Sequence, residues 1–202
     1  MAESVETIER RGFPQIAGDP ALDLVNTVSW RLNAQRRVEQ LPRYTTLIRW
    51  SLQFGFIDET DAAALREQAA ADPQTAGREI GRVIELREAI YRAAYEGGPT
   101  DSVARENAAA LTEGHLERLG DSWRWAFPLD LSLPRRRIAL AAVDLLTRDD
   151  LGLLRQCSDA DCGWVFLDSS PRHNRRWCIA SDCGNRNRVR EHYERTRGVP
   201  AS

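Results

Sequence analysis

Four cysteines fall in one short stretch near the C-terminus, in the pattern Cys157-x4-Cys162, fifteen residues, Cys178-x4-Cys183. Two close pairs separated by enough chain to fold back can close a tetrahedron of thiolates around one ion. Zinc has no directional preference of its own and accepts that tetrahedron through bonds of about 2.3 Å. In a reducing compartment, four cysteines so crowded are expected as metal ligands rather than as two disulfides. A closed four-thiolate site has no open coordination position, so one structural Zn2+ is expected and hydrolytic zinc chemistry is not.

Each pair ends in the same tripeptide, Asp161-Cys162-Gly163 and Asp182-Cys183-Gly184. Glycine after a ligand lets the chain take a positive φ and turn backbone N–H groups toward sulfur, so each pair reads as a zinc knuckle. Between the pairs, Trp164, Val165, Phe166 and Leu167 read as a short strand. With Trp177 they are expected to form a tiny core that the metal completes. A module this small is not held by burial alone, so metal binding should supply most of its folding energy. The same thiols would suit a redox switch in which oxidation ejects zinc, and the spacing does not separate switch from staple.

Upstream the signals are helical. Asp19-Pro20 starts a short helix carrying Leu22, Leu24, Val25 and Val28. Thr45 or Thr46 caps a second, ended by Gly55, and Asp58 caps a third. Asp72-Pro73 starts the longest helix, which Gly97-Gly98-Pro99 ends near Tyr95, and another spans Ser102 to Glu113. The period then changes. His115 to Phe127, with Gly120-Asp121 at its middle, reads as a β-hairpin in which Trp123, Trp125 and Phe127 alternate as in a half-buried strand. A last helix, capped near Ser132, places Ile138, Ala141, Ala142, Leu145 and Leu146 on one face and leads straight into the cysteines. The expected fold is mainly α (α+β): a helical domain with a small hairpin over 1–150, then a four-cysteine zinc-finger module of zinc-knuckle or treble-clef-like build over 151–202, ending in a helix. With no long linker between them, the module should dock on the helical domain.

Charge is uneven. The chain carries net charge -2, and every one of its 28 basic residues is arginine. From Leu151 onward nine arginines face six acids, so the basic character gathers at the C-terminus. Within it Arg172, Arg175, Arg176, Arg186, Arg188 and Arg190 are opposed only by Asp182, which is the kind of patch that contacts phosphates. On a helix starting at Asn185, Arg186 and Arg190 share a face with Arg197, while Arg188 and Arg195 point nearly opposite. Val189 and Tyr193 are expected to pack on the zinc module, leaving Arg186 and Arg190, with Arg175 and Arg176, as the leading nucleic-acid contacts. The competing reading is that these arginines serve the protein itself, pairing with Glu191 and Glu194 or offsetting the negative charge of a four-thiolate zinc. Asn185 is expected either to cap the helix or to meet a base edge, capping being favoured. His173 and His192 are expected on the surface. Asp23, Asn26 and Thr27 are the polar residues singled out upstream, with capping or solvated roles expected.

The segments Arg175-Arg176-Trp177-Cys178, Cys183-Gly184-Asn185-Arg186 and Cys162-Gly163-Trp164-Val165-Phe166-Leu167-Asp168 resemble the signature of the CGNR zinc-finger family. The stretches Gly18-Asp19-Pro20-Ala21-Leu22-Asp23-Leu24-Val25-Asn26-Thr27 and Leu86-Arg87-Glu88-Ala89-Ile90-Tyr91-Arg92 are similar to the ABATE domain that precedes that finger. The resemblance implies a bacterial stress-induced transcription regulator whose finger binds DNA. The chain departs from it in Arg188, where lysine is usual, and in Ile179-Ala180, where Ser-Met is common. Neither touches a ligand.

Three readings stay open: a DNA-binding regulator, a protein-interaction module stapled by zinc, and an RNA-binding protein. Symmetric DNA sites would favour a homodimer. No HExxH, P-loop or GxSxG motif is present, so an enzyme is not expected. Acids near the N-terminus argue against a secretory signal, and a cytoplasmic location is expected.

Overall fold

The computed structural model describes residues 12–197, without the side chain of Arg197. The N-terminal stretch weighed as a signal lies outside them. Helices begin where the sequence supplies a short acceptor. Before α1 (Pro20–Val25) the Asp19 carboxylate accepts from the Ala21 N–H at 2.8 Å. In α2 (Tyr44–Gln53) the expectation fails: Arg43 precedes the helix, with Thr45 and Thr46 already inside it and Thr46 buried. Gly55, at φ +73°, follows its end as expected. Asp58 accepts from Asp61 N–H to start α3 (Glu59–Ala71), and Asp72 from Thr75 N–H to start α4 (Pro73–Tyr95). The helical domain closes with α5 (Asp101–Glu113) and α6 (Leu133–Leu146). Ser132 precedes α6 but does not cap it, because its hydroxyl donates to Asp130 instead.

α1 sits at the centre, with every residue after Pro20 buried, and packs on α4 and α6. Leu22, Leu24, Leu47, Ile48, Trp50, Val83, Ile90, Ile138 and Leu145 build the core around it. Burying each such side chain contributes about 1.5–3 kcal/mol. Arg87 of α4 is also fully buried, a position a guanidinium tolerates only when paired. Its two Nη atoms donate to the Glu39 carboxylate at 2.7 and 2.8 Å, and Nη1 also donates to Thr27 Oγ1 at 3.1 Å. Glu39 lies in β2 (Val38–Glu39), paired antiparallel with β1 (Val28–Ser29).

The hairpin forms where the turn signal placed it, as β3 (His115–Leu119) and β4 (Ser122–Ala126), with Gly120 at φ +61° between them. Its environment differs from expectation. Trp123 is 65% exposed and Trp125 37%, because the ribbon follows the end of α5 and no layer among the described residues covers it. Alternation survives without the burial it usually signals.

After α6 the chain makes β5 (Leu154–Gln156) and β6 (Val165–Leu167), paired antiparallel with Leu154 opposite Leu167. Strand alternation divides the apolar run that was expected to serve one tiny core. Val165 and Leu167 enter the main core, whereas Trp164 and Phe166 face the cysteines. Asn26 is buried against β6, its Oδ1 accepting from Val165 N–H at 2.9 Å and its Nδ2 donating to Val165 C=O at 2.8 Å. Asp23 is buried too, with Oδ1 accepting from the N–H groups of Ile16 and Ala17. None of Asp23, Asn26 and Thr27 is solvated, and capping holds in part: Asn26 is the C-cap of α1, its N–H donating to Leu22 C=O at 3.0 Å, and Thr27 Oγ1 donates to Leu24 C=O at 2.7 Å. They are internal struts, because α1 is enclosed on every side. A π-helical turn (Ala180–Gly184) leads into α7 (Asn185–Arg197). Among the described residues no helix is long and apolar enough to cross a membrane.

Candidate zinc centre and the arginines around it

Cys157 follows β5, Cys162 closes the turn begun at Asp159, Cys178 lies in the loop after β6, and Cys183 sits in the π-helical turn. All four are buried, and their Sγ atoms lie within 4.8 Å of one another. Cys162 and Cys178 are 3.7 Å apart and Cys178 and Cys183 3.4 Å. A tetrahedron with bonds of about 2.3 Å has edges of about 3.8 Å, so this donor set fits one structural Zn2+. Ionisation points the same way. Hydrogen bonds from the other three thiols, Cys162 foremost, hold Cys157 well below its ordinary range, while Cys157 as neighbour pushes Cys162 and Cys178 far above it. Crowded thiols cannot all ionise without a cation among them. Trp164, Phe166 and Trp177 wall the cluster from water.

The two knuckles are not copies. At Gly163 φ is +73°, and a Cβ there would meet the Cβ of Arg31 at 2.8 Å and the Cγ of Leu32 at 2.9 Å. The close approach has a cause: Arg31 N–H donates to Cys162 C=O at 2.9 Å and Leu32 N–H to Asp161 C=O at 3.2 Å. Gly184 lacks the expected positive φ, since it lies in a helical turn. Its constraint is the indole of Trp177, which a Cβ would meet at 3.0 Å.

The arginines divide into two groups. Arg186 turns inward, its Nη1 donating to Asp182 at 2.5 Å and its Nη2 to the buried Asp159 at 3.2 Å and to Cys183 Sγ at 2.9 Å. Arg175 is equally engaged. Its Nη2 donates to the carbonyls of Ile16 and Cys178, its Nε to that of Trp177, and its guanidinium lies 3.9 Å from the Phe166 ring centroid. Arg172, Arg176, Arg188 and Arg190 are exposed. Arg176 lies over Trp177, and Arg188 Nε donates to Gly184 C=O at 3.3 Å.

On α7 the expected orientation is reversed. Arg186 and Asn187 face the protein body, while Val189 and Tyr193 are 46% and 58% exposed. Helical spacing gave the faces correctly, but the body lies on the side of Arg186. Asn185 does not cap, because the preceding π-helical turn already continues into the helix, and its side chain is exposed. His173 and His192 are exposed as expected.

Several residues with defined roles carry no sequence signal of their own. Asn187 Nδ2 donates to Asp159 Oδ2 at 2.8 Å and to Cys183 C=O at 2.9 Å, locking the first turn of α7 to the first knuckle. Asn33 and Arg36 donate to Asp161, whose carboxyl is held below its ordinary range chiefly by Asn33. Trp30, at φ +54°, is buried between the guanidinium groups of Arg36, 3.6 Å from the ring centroid, and Arg186. The Asp-Cys-Gly repeat drew attention to the glycines, whereas its aspartates hold the site's surroundings.

Comparison with known families is consistent with this geometry. Residues 154–196 match the CGNR zinc finger, and residues 18–149 match ABATE, described as "Putative stress-induced transcription regulator". Neither is an enzyme family. No curated protein matches the chain.

Proposed function

The chain belongs to the ABATE family and ends in a CGNR zinc finger, and from that premise we propose that it is a transcription regulator that binds duplex DNA through the outer face of that finger. One observation carries the reading. Arg176 lies 5.1 Å over the Trp177 ring, that ring closes on Gly184, and Gly184 C=O accepts from Arg188. Two exposed guanidinium groups from separate segments are thus set on adjoining ground, beside the outward face of α7.

That face presents Asn185, Arg188, Val189 and His192, with Arg195 at its flank, all exposed. Arginines supply phosphate contacts, and a helix face with an amide and a small apolar residue can meet base edges and thymine methyl groups in a major groove. Arg172 extends the basic edge, and Arg190 lies on the flank nearer Asp161. Arg175 and Arg186 are assigned to holding the module together. Zinc would be held by Cys157, Cys162, Cys178 and Cys183 and would act as a staple that fixes the pose of α7. A homodimer is part of the proposal, since two fingers related by a twofold axis would meet a symmetric site.

The test is binding of zinc-loaded protein to random duplex DNA across a salt series, beside Arg176→Ala and Arg188→Ala. Each substitution should reduce the salt slope by about 1 and weaken binding. Absence of binding at low salt by the folded protein would sink the reading and favour a protein partner.

A further inference from the structure

The β3–β4 ribbon has two unlike faces. Opposed pairs in an antiparallel ladder share a face, so Leu116 with Trp125 and Arg118 with Trp123 lie together on one side. The other side carries His115 with Ala126, Glu117 with Arg124, and Leu119 with Ser122. The second side is settled within the chain, for Arg124 Nη2 meets Glu117 at 3.3 Å. The first side runs outward from the core: Phe127 packs on the core, Trp125 stacks on Phe127, and Trp123 stands beyond them. Leu116 is 53% exposed on the same side. A two-stranded ribbon without a covering layer is marginal in water, and an apolar face of this extent marks an interaction surface.

We propose that this face pairs with the same face of a second copy of the chain, making the homodimer invoked above; the inference supplies that dimer's interface and rests on the earlier reading only for its use on DNA. The argument is complementarity. The sole charged group on the face is Arg118, with Trp123 directly opposite it across the ladder. A twofold axis through the face sets each Arg118 over the Trp123 ring of the other copy, forming two cation–π pairs at once, while Leu116 and Trp125 meet between them. A face with one cation, Arg118, and an aromatic ring directly opposite it, Trp123, is matched by itself, and no acid on it calls for a basic partner. Each copy contributes on the order of 350 Å² of apolar surface, which places the contact among weak, reversible interfaces.

Sedimentation of the full zinc-loaded chain without DNA, from about 1 to about 300 µM, tests this. The wild type should dimerise within that range. Trp123→Ser should weaken self-association by roughly thirtyfold or more, and Arg118→Glu, which keeps the aromatic surface, should weaken it as well. Both positions are exposed, so the melting temperature should be unchanged. A wild-type monomer throughout the range overturns the proposal, as does a dimer indifferent to both variants. Hydrogen-exchange protection of residues 115–126 that appears only when duplex DNA is added to a monomer also overturns it and assigns the face to nucleic acid. Because dimerisation is read without DNA, loss of DNA binding by a protein that still dimerises counts against the earlier reading alone.

Discussion

The guanidinium carbon of Arg186 lies 4.4 Å from the ring centroid of Trp30, joining the last helix to a loop more than 150 positions earlier in the chain. The same guanidinium reaches Asp159, Asp182 and a cysteine sulfur, so removing it leaves the buried Asp159 carboxylate with Asn187 as its remaining side-chain partner. Arg186→Ala is expected to cost about 2–4 kcal/mol. Lysine should not restore it, since an ammonium cannot reproduce the planar fork or the stacking. Hydrogen exchange along 187–196 is the readout, and unchanged protection in Arg186→Ala would contradict the assignment.

Zinc removal should affect more than the finger. Val165 and Leu167 belong to the main core, and Asn26 is bonded to the strand that carries them. A chelator should therefore lower the unfolding free energy of the whole described body, by on the order of 5 kcal/mol, in one transition. Circular dichroism and near-ultraviolet signals that melt separately after chelation would show two independent units instead.

Asn26→Ala removes both side-chain bonds to Val165 and leaves two buried backbone groups unpartnered. A loss of about 2–4 kcal/mol is expected, measurable as a shift in denaturant midpoint at constant m-value. A loss below about 0.5 kcal/mol would mean that water replaces the amide at little cost.

Burial pushes the Asp23 carboxyl up to about 6, with Asp19 adding to the rise and the two backbone N–H donors and Arg175 opposing it. A folded-state value above the unfolded one means that the folded protein binds the proton more tightly, so this group makes stability fall as pH rises from about 4 to about 6. Asp23→Asn keeps the acceptor for Ile16 and Ala17 without the charge. It should be more stable than the wild type above pH 6, with the difference shrinking toward pH 4. Parallel stability–pH curves for the two proteins would refute the shift.

The sequence was most legible where its determinants are local. Asp19, Asp58 and Asp72 announce their helices because an N-cap acceptor acts within three residues, and Gly120 marks its turn for a similarly short-range reason. The cysteine tetrahedron was legible because thiolate spacing and ligand chemistry leave few alternatives. What failed depends on neighbours supplied from afar. Helical periodicity separates Arg186 from Arg188 but does not say which side meets the body, and Trp30 decides that. Alternation identified β4, yet whether a layer lies behind Trp123 is a property of the assembled helices. Asp159 and Asn187 meet across 28 positions, beyond the reach of any local motif.

At Asn26, one amide meets both the donor and the acceptor of Val165, as a neighbouring strand would. A finger anchored in this way is not a portable cassette. Grafted onto another scaffold, it would arrive with Val165 and Leu167 facing water and with no amide waiting for its strand. Exchange of surface residues between relatives would therefore have to stop at the solvent face of α7, where side chains can change without disturbing the seam.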